Sequence, residues 1–405
     1  MLSKVQRKED IIKLVKKLDL SPSMYKDATE KYKNLGEFLA QNDVPVDIYP
    51  QGSFATGTVV RPFKDSKDSD YDVDCICLLN RSKNEVTPEE IKNIIGDKIK
   101  SNEMYAKKLL PEDSRCWTLE YAEKDGIGFN LDVVPSIPAD HRLINEIIAK
   151  GVRKDFADVA ISITNKENDK YSWCDSNPKG YAEWFKEINK PFLEYNRSKR
   201  RQMLFESNRE IFNSVEEIPE YIERSSLQMV IQILKRHRDI YFTKRRKEGY
   251  KPISAIITTM VGQISRTAQY NMDVLELLEY VVNEITIYSN LLKRNQKEFN
   301  MLFESKSILS KKEERWTILN PVNPFDNLTD SWNDDSDKAK YFFEWVKQIK
   351  LDFIDSLILD DDKFINLLEN SLGSQFVKSN IDMKKYSVVP ATSIILNTPK
   401  PYCKK

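Results

Sequence analysis

The sequence is poor in cysteine and histidine, which limits the metal and redox chemistry that it can support. Its 405 residues include 5 cysteines and 2 histidines. The cysteines are odd in number and form no Cys-x-x-Cys pair, as expected for reduced thiols in a cytosolic protein. Because His141 and His237 are the two histidines, we expect no zinc site.

A net charge and a long apolar run are also missing. Lys+Arg and Asp+Glu both number 63, so no overall positive field indicates a nucleic-acid partner. No stretch is apolar enough to span a membrane, and the N-terminal residues mix charges with apolar side chains, unlike a signal peptide. We therefore expect a soluble cytoplasmic protein that binds no membrane, and the length predicts two domains.

The first motif of the sequence is a Gly-Ser pair, Gly52-Ser53, that follows a short predicted strand. Val46 and Ile48 alternate with polar residues up to Pro50, and QGSFATGTVV is then typical of a turn that starts a helix. Ser21-Pro22 predicts a helix before this motif, and residues 61–70 form a predicted polar loop. Glycine amides and a hydroxyl at a helix start are suited to hold phosphate groups.

Two aspartates share one face of the clearest predicted strand, YDVDCICLL. The alternation places Asp72 and Asp74 opposite Cys75 and Cys77, which we expect to be small buried apolar residues. Further along, CWTLEY and IGFNLDVV predict a hairpin whose second strand carries Asp132. The sequence thus predicts three carboxylates on neighbouring strands.

Helical periodicity dominates after residue 180. One predicted helix carries a stripe that includes Leu227, Val230 and Leu234, and Pro252 opens the next. Residues 320–337 form a predicted polar connection before a further helix. We therefore predict a core with an N-terminal helix over 1–185, a helical domain over 186–390 and a tail over 391–405.

The three carboxylates and the Gly-Ser turn together suit metal-dependent nucleotidyl transfer. Two Mg²⁺ or Mn²⁺ ions require oxygen ligands, and residues i and i+2 on a strand lie about 6.6 Å apart on one face, within reach of a metal pair. Each motif alone has an ordinary explanation: a tight turn for Gly52-Ser53, a solvated strand face for Asp72 and Asp74, a surface residue for Asp132. Their combination and order favour an enzyme.

Beyond these residues, QGSFATGT, DYDVDCIC and NLDVVPSIP resemble segments of the bacterial cGAS/DncV-like nucleotidyltransferases of CBASS anti-phage systems. SWCDSNPKGYAEWF, LQMVIQILKRHRDIYF, KPISAIITTM and NPVNPFDNLTDSW extend the resemblance over roughly residues 40–350. It implies an α+β fold, in which a polymerase-β-like nucleotidyltransferase core is joined to a C-terminal helical domain, as in the oligoadenylate synthetases.

The resemblance also implies roles for individual residues. Asp72, Asp74 and Asp132 would be catalytic metal ligands for Mg²⁺ or Mn²⁺. The phosphate-contacting motif would include Gln51, Gly52 and Ser53, while Lys235 and Ser254 would contact the triphosphate from the helical domain. On their own chemistry, Lys235 is expected to be a mobile cation and Ser254 to begin a helix. Asp70 also forms an Asp-x-Asp with Asp72, but the apolar strand after Asp74 favours Asp72 and Asp74.

A cyclic di- or trinucleotide second messenger, made from nucleoside triphosphates, is the product that the resemblance implies. It would reach a separate effector protein in antiviral defence, and we expect no obligatory DNA activator because the chain lacks a Cys/His cluster for a zinc insertion. The bases used, the ring size and any regulatory partner stay open. The alternatives are a linear oligonucleotide synthetase, a transferase acting on RNA or protein, and an inactive nucleotide-binding module.

Overall fold

A computed structural model describes residues 2–41, 46–61, 63–64, 67–68, 71–124, 127–207, 223–304 and 306–386 of the chain. The strands are β1 (Val46–Pro50), β2 (Phe63–Lys64), β3 (Lys67–Asp68), β4 (Tyr71–Leu79), β5 (Trp117–Lys124), β6 (Ile127–Pro138), β7 (Ile161–Glu167), β8 (Lys170–Ser176), β9 (Ser310–Lys312), β10 (Arg315–Thr317), β11 (Leu319–Asn320) and β12 (Asn323–Asn327). The α-helices are α1 (Lys4–Lys16), α2 (Pro22–Leu39), α3 (Gly52–Thr56), α4 (Pro88–Lys100), α5 (Glu103–Ala106), α6 (His141–Ala149), α7 (Lys154–Ala157), α8 (Pro178–Ser207), α9 (Ser226–Lys244), α10 (Ser254–Ser265), α11 (Val274–Tyr288), α12 (Gln296–Leu302), α13 (Asp330–Asp334), α14 (Asp337–Phe353), α15 (Asp361–Leu372) and α16 (Ser374–Asn380).

The main sheet has six strands in the order β1-β4-β6-β7-β8, and β5 also pairs with β6. Strands β4 and β6 run parallel, and the other pairs are antiparallel. The β5–β6 pair confirms the predicted hairpin. Strands β7 and β8, which sequence periodicity did not indicate, extend the sheet beyond the hairpin.

One face of this sheet is apolar and is covered by helices α2 and α4. Cys75 and Cys77 lie on that face among buried residues from β4, β5 and β6, as predicted. The start of α2 is capped by the side chain of Ser21, and Pro22 occupies the first turn, where its missing N–H costs nothing. The opposite face of β4 carries the carboxylates.

The second half of the chain packs as a helical body around α9. From Val230 to Phe242 every residue of this helix is buried, rather than one stripe as the periodicity predicts. Helix α1 joins this body, since Ile11 and Leu14 belong to the same apolar cluster. Helix α8 continues without a break across position 185, where the sequence predicts the boundary between the core and the helical domain. At both ends of the predicted core segment, the chain therefore continues into the helical body.

Two segments differ from the sequence prediction. The predicted polar loop at 61–70 contains a short antiparallel pair, β2 and β3. The predicted polar connection at 320–337 contains β12, α13 and the end of β11. Asparagine side chains in this segment hydrogen-bond to the backbone: Asn327 Nδ2 donates to the Trp316 carbonyl at 3.1 Å. Within the part of the chain that the structure describes, no helix combines the length and apolarity needed to cross a membrane. The predicted tail at 391–405 lies outside the described residues.

Candidate active site

The predicted phosphate turn connects β1 to α3 and lies directly against β4. The backbone N–H of Gln51 donates to the Asp74 carbonyl at 2.9 Å, which fixes the turn to the carboxylate strand. Gly52 has a φ of 60°, a left-handed backbone conformation that residues other than glycine adopt at an energetic cost. A Cβ at Gly52 would lie 2.8 Å from Oδ2 of Asp74. Both the backbone conformation and this close approach therefore require glycine.

Helix α3 is a single turn of five residues. Its contribution to phosphate binding is therefore limited to local amides and to the Ser53 hydroxyl, because a macrodipole needs aligned peptides over several turns. The helix dipole therefore contributes less to phosphate binding than the sequence prediction of a helix start implies.

The three predicted carboxylates meet on the polar face of the parallel strands β4 and β6. In the register, Asp74 is directly opposite Asp132, and Asp72 is opposite Asn130. Nδ2 of Asn130 donates to Asp72 at 3.3 Å, and the Thr118 hydroxyl of β5 donates to Asp132 at 2.5 Å. The structure thus brings all three predicted carboxylates together.

Burial and mutual repulsion perturb the inner two carboxylates. Burial, followed by the negative charges of Asp132 and Asp72, raises the pKa of Asp74 to about 7. Burial also raises the pKa of Asp132, and the Thr118 hydrogen bond opposes this increase. A negative charge on either Asp74 or Asp132 is therefore destabilised in the metal-free protein.

The carboxylates suit a divalent cation by donor type and charge, although they are not a ready-made cluster. Among the described residues, no group of three His, Cys, Asp or Glu side chains is already arranged to hold a metal. Mg²⁺ and Mn²⁺ prefer carboxylate oxygens, and a cation would relieve the repulsion that raises the pKa of Asp74. Asp72, Asp74 and Asp132 therefore fit such an ion chemically, with Asp132 hydrogen-bonded to Thr118.

A cleft of about 510 Å³ opens between this face and the helical body. Such a volume is within the usual range for sites that bind small molecules. Its lining includes Gln51, Gly52, Ser53, Asp72, Asp74, Lys235 and Ser254. Asp132, on the neighbouring strand β6, is not part of the lining. Seven of the eight predicted site residues thus line one cavity. Asp70 lies outside the described residues.

Lys235 is not the mobile cation that the sequence predicts. Its side chain is buried within α9, and its Nζ donates to the carbonyl and to the hydroxyl of Thr58 at 3.1 and 3.2 Å. Burial, assisted by the positive charge of Arg238, lowers the pKa of Lys235 to about 7. The prediction of mobility was wrong because α9 is buried on every side.

Ser254 begins α10, as predicted, although Pro252 lies two residues before that helix instead of within its first turn. The Ser254 hydroxyl accepts a hydrogen bond from Nη1 of Arg238 at 2.9 Å, and the same nitrogen donates to the Pro252 carbonyl at 3.1 Å. Arg238 thus fixes the start of α10 at the wall of the cleft.

Comparison with known proteins agrees with the family resemblance of the sequence motifs. Residues 6–189 match the family model described as Second Messenger Oligonucleotide or Dinucleotide Synthetase domain. The chain is also 26% identical, over 356 residues, to a protein of Roseivirga ehrenbergii named c-di-GMP synthase, covering 86% of this chain and 78% of that one. These matches support the resemblance of the chain to the bacterial cGAS/DncV-like nucleotidyltransferases.

Two solved structures of bacterial proteins have the same fold. The CD-NTase CdnG of Bradyrhizobium diazoefficiens, solved in complex with GTP, aligns with a TM-score of 0.64 at 16% identity and covers 94% of this chain and 99% of that one. CdnC of Escherichia coli MS115-1, solved with ATP, aligns with a TM-score of 0.57 at 13% identity and covers 91% and 98%. The predicted polymerase-β-like α+β fold is confirmed.

Sequence reasoning missed several residues of this nucleotidyltransferase cleft. Arg238 and Lys251 add positive charge to the wall formed by α9 and α10, and both interact with Asp239. Tyr181 and Asp326 line the cleft farther along the chain, and the Tyr181 hydroxyl hydrogen-bonds with that of Thr259 at 2.8 Å. The KRHRD and NPFDN segments contain Arg238 and Asp326, but no periodic signal distinguishes them from surface charges.

Proposed function

We propose that the chain synthesises a cyclic di- or trinucleotide from nucleoside triphosphates by nucleotidyl transfer that depends on Mg²⁺ or Mn²⁺. The observation that supports this most directly is the shared cleft. Gly52 and Ser53 line it together with Asp72 and Asp74, and Lys235 lines it from the helical side. A triphosphate needs amide donors, cations and metal ligands at one place, and this cleft offers all three.

The residues divide this work between two walls. Backbone amides at Gly52 and the Ser53 hydroxyl would bind phosphate oxygens, and the positive charge of Arg238 would offset phosphate charge from the opposite wall. Asp72, Asp74 and Asp132 would hold the metal ions, which lower the pKa of an attacking ribose hydroxyl and stabilise the leaving pyrophosphate. Transfer to a second nucleotide and then ring closure require the same groups twice.

The substrates and the biological role are extensions of the family assignment. The Roseivirga relative bears the name c-di-GMP synthase, and the CdnG structure contains GTP, so we propose that guanine nucleotides are among the substrates. The product would act in the cytoplasm on an effector protein in CBASS anti-phage defence. No DNA activator would be obligatory.

The test is incubation of the full chain with labelled ATP, GTP, CTP and UTP, singly and in pairs, with Mg²⁺ or Mn²⁺. We expect pyrophosphate release together with a product that resists phosphatase because it has no terminal phosphate. The double variant Asp72→Ala/Asp74→Ala should lose both signals. Asp47→Ala is the matched control, since Asp47 is an exposed aspartate of the same sheet, on β1, and does not line the cleft.

Two outcomes would contradict the proposal in different ways. A phosphatase-sensitive product would indicate a linear oligonucleotide synthetase with the same metal chemistry. Nucleotide binding without pyrophosphate release, under every metal and nucleotide condition, would indicate an inactive binding module.

A further inference from the structure

One face of α9 holds the segment that follows the phosphate turn, through side chains that donate to its backbone carbonyls. This segment, residues 56–61, is called the strap below. Four donors at helical spacing reach four of its carbonyls, and all four side chains are buried. The bonds are Gln228 Nε2 to Thr56 at 2.9 Å, Gln232 Nε2 to Val59 at 2.6 Å, Lys235 Nζ to Thr58 at 3.1 Å and Arg236 Nη1 to Arg61 at 3.0 Å.

The strap is in turn bonded to the phosphate turn itself. The Thr56 hydroxyl donates to the Gly52 carbonyl at 3.0 Å, and the Thr58 N–H donates to the Ser53 carbonyl at 2.9 Å. The hydroxyls of Thr56 and Thr58 also lie 2.9 Å apart, within hydrogen-bonding distance. The Gly52–Ser53 and Ser53–Phe54 peptide groups are therefore each linked to α9 through two hydrogen bonds.

Water cannot easily replace these donors. Gln232 is 1% exposed and Gln228 is 7% exposed, and Val59 and Thr58 of the strap are buried as well. A buried carbonyl that loses its donor must move to find another, because leaving it unpaired is costly. The strap would then shift relative to Gly52, to which the Thr56 hydroxyl is bonded.

We infer that Gln228 and Gln232 are positioning residues for the phosphate-binding turn, acting from the helical body through the strap. The inference rests on the proposed function, because it assigns these glutamines an effect on the affinity for a nucleoside triphosphate. It differs from a purely structural role in one respect: loss of a donor should weaken binding of the phosphates specifically.

The test uses the full chain with Mg²⁺ and compares a non-hydrolysable GTP analogue with guanosine. Gln232→Met keeps the size of the side chain and removes the donor. We expect it to weaken binding of the analogue about 10-fold, as for one lost buried hydrogen bond, and to leave guanosine binding unchanged in a competition assay. Gln228→Glu should act in the same direction, because it keeps an oxygen acceptor for the Ser225 N–H and removes the amide donor to Thr56.

His237→Met is the matched control on the same helix. His237 is 1% exposed, like Gln232, but it bonds to Trp345 and Asp352 within the helical body. It should lower the melting temperature without changing the ratio of analogue to guanosine affinity. If Gln232→Met does not fold, Gln228→Glu carries the test alone.

The outcomes separate this inference from the proposed function. Wild type that binds neither compound would overturn the proposed use of guanine nucleotides, and this inference, which is tested through the GTP analogue, would fall with it. If wild type binds the analogue and the glutamine variants bind it equally well, the positioning role is overturned and the proposed function stands. Equal weakening of analogue and guanosine would also overturn it, because that pattern indicates a general loss of structure.

Discussion

The carboxylate of Asp74 is a strongly perturbed acidic group of the cleft. It lies against Gly52, faces Asp132 across the parallel strands and has the Lys235 ammonium as the cation that lowers its pKa. Burial, and after it repulsion by Asp132 and Asp72, outweighs that cation, since the pKa of Asp74 is raised to about 7. In the metal-free protein, folding therefore favours the protonated form of Asp74.

Asp74→Asn should stabilise the metal-free protein at pH 8 while abolishing nucleotidyl transfer. The wild-type group favours folding at low pH, and this contribution is lost as pH rises through about 7, the folded pKa. The amide carries no charge, so the variant should gain on the order of 2 kcal/mol at pH 8, with little gain near pH 4, where the carboxyl is protonated in the folded state and largely so in the unfolded state. Urea unfolding in a chelator at both pH values measures this. A variant that is less stable than wild type at pH 8 would contradict it.

Thr118 supports the third carboxylate from outside the cleft. Its hydroxyl donates to Asp132, and groups that orient a metal ligand typically change metal affinity or activity by about 10–100-fold when removed. We expect Thr118→Val, which keeps the side-chain shape, to raise the Mn²⁺ concentration for half-maximal pyrophosphate release by about 10-fold or more. Thr29→Val is the control, since Thr29 lies on α2 and bonds to the Tyr25 carbonyl. An unchanged metal requirement in Thr118→Val would remove Thr118 from the site.

At the scale of elements, the β1–α3 turn depends on one glycine. Gly52→Ala adds a Cβ in a left-handed conformation, which costs roughly 1–2 kcal/mol, and places it against Asp74 Oδ2. We expect at least a 10-fold loss of pyrophosphate release together with a lower melting temperature. Gly249→Ala is the matched control because a Cβ there meets nothing within 4 Å. Equal activity of the two alanine variants would show that the turn tolerates a side chain.

The sequence predicts elements whose pattern is local and fails where partners are distant. Strand β4 and the β5–β6 hairpin follow from alternation, and that alternation correctly puts Asp72, Asp74 and Asp132 on one face. The environment of Lys235 does not follow, because its partner Thr58 is 177 residues away. Strand β12 was missed for the same reason: its asparagines look like loop residues until their backbone partners are known.

The strap and α9 are a further case of elements that only the fold brings together. Gln228 and Gln232 interrupt a run of apolar residues, and sequence periodicity would assign them to an exposed face. In the structure that face is buried against the strap. A buried polar stripe on a helix therefore indicates a backbone partner elsewhere in the chain, which no local pattern identifies.

At the scale of the whole molecule, the first helix closes the fold against the last ones. Nη1 of Arg7 donates to the Leu357 carbonyl at 3.0 Å, and Nη2 pairs with Asp361 at 2.6 Å. The guanidinium also stacks over the Phe364 ring, 5.0 Å from its centroid. One turn farther along α1, the Tyr386 hydroxyl donates to Asp10 at 2.6 Å. These contacts join the two ends of the described chain.

Arg7→Met should therefore destabilise the whole protein without changing its chemistry. Arg7 is 1% exposed, and its loss leaves the buried Leu357 carbonyl without the guanidinium donor and breaks the ion pair with Asp361, so we expect about 2–4 kcal/mol less unfolding free energy in urea. Lys4→Met on the same helix is the control: Lys4 is exposed, and such substitutions usually change stability by less than about 0.5 kcal/mol. Because none of the Arg7 partners lines the cleft, the KM for nucleoside triphosphate, measured well below the melting temperature, should equal that of wild type. A raised KM in Arg7→Met would instead mean that α1 transmits its position to the active site through the helical body.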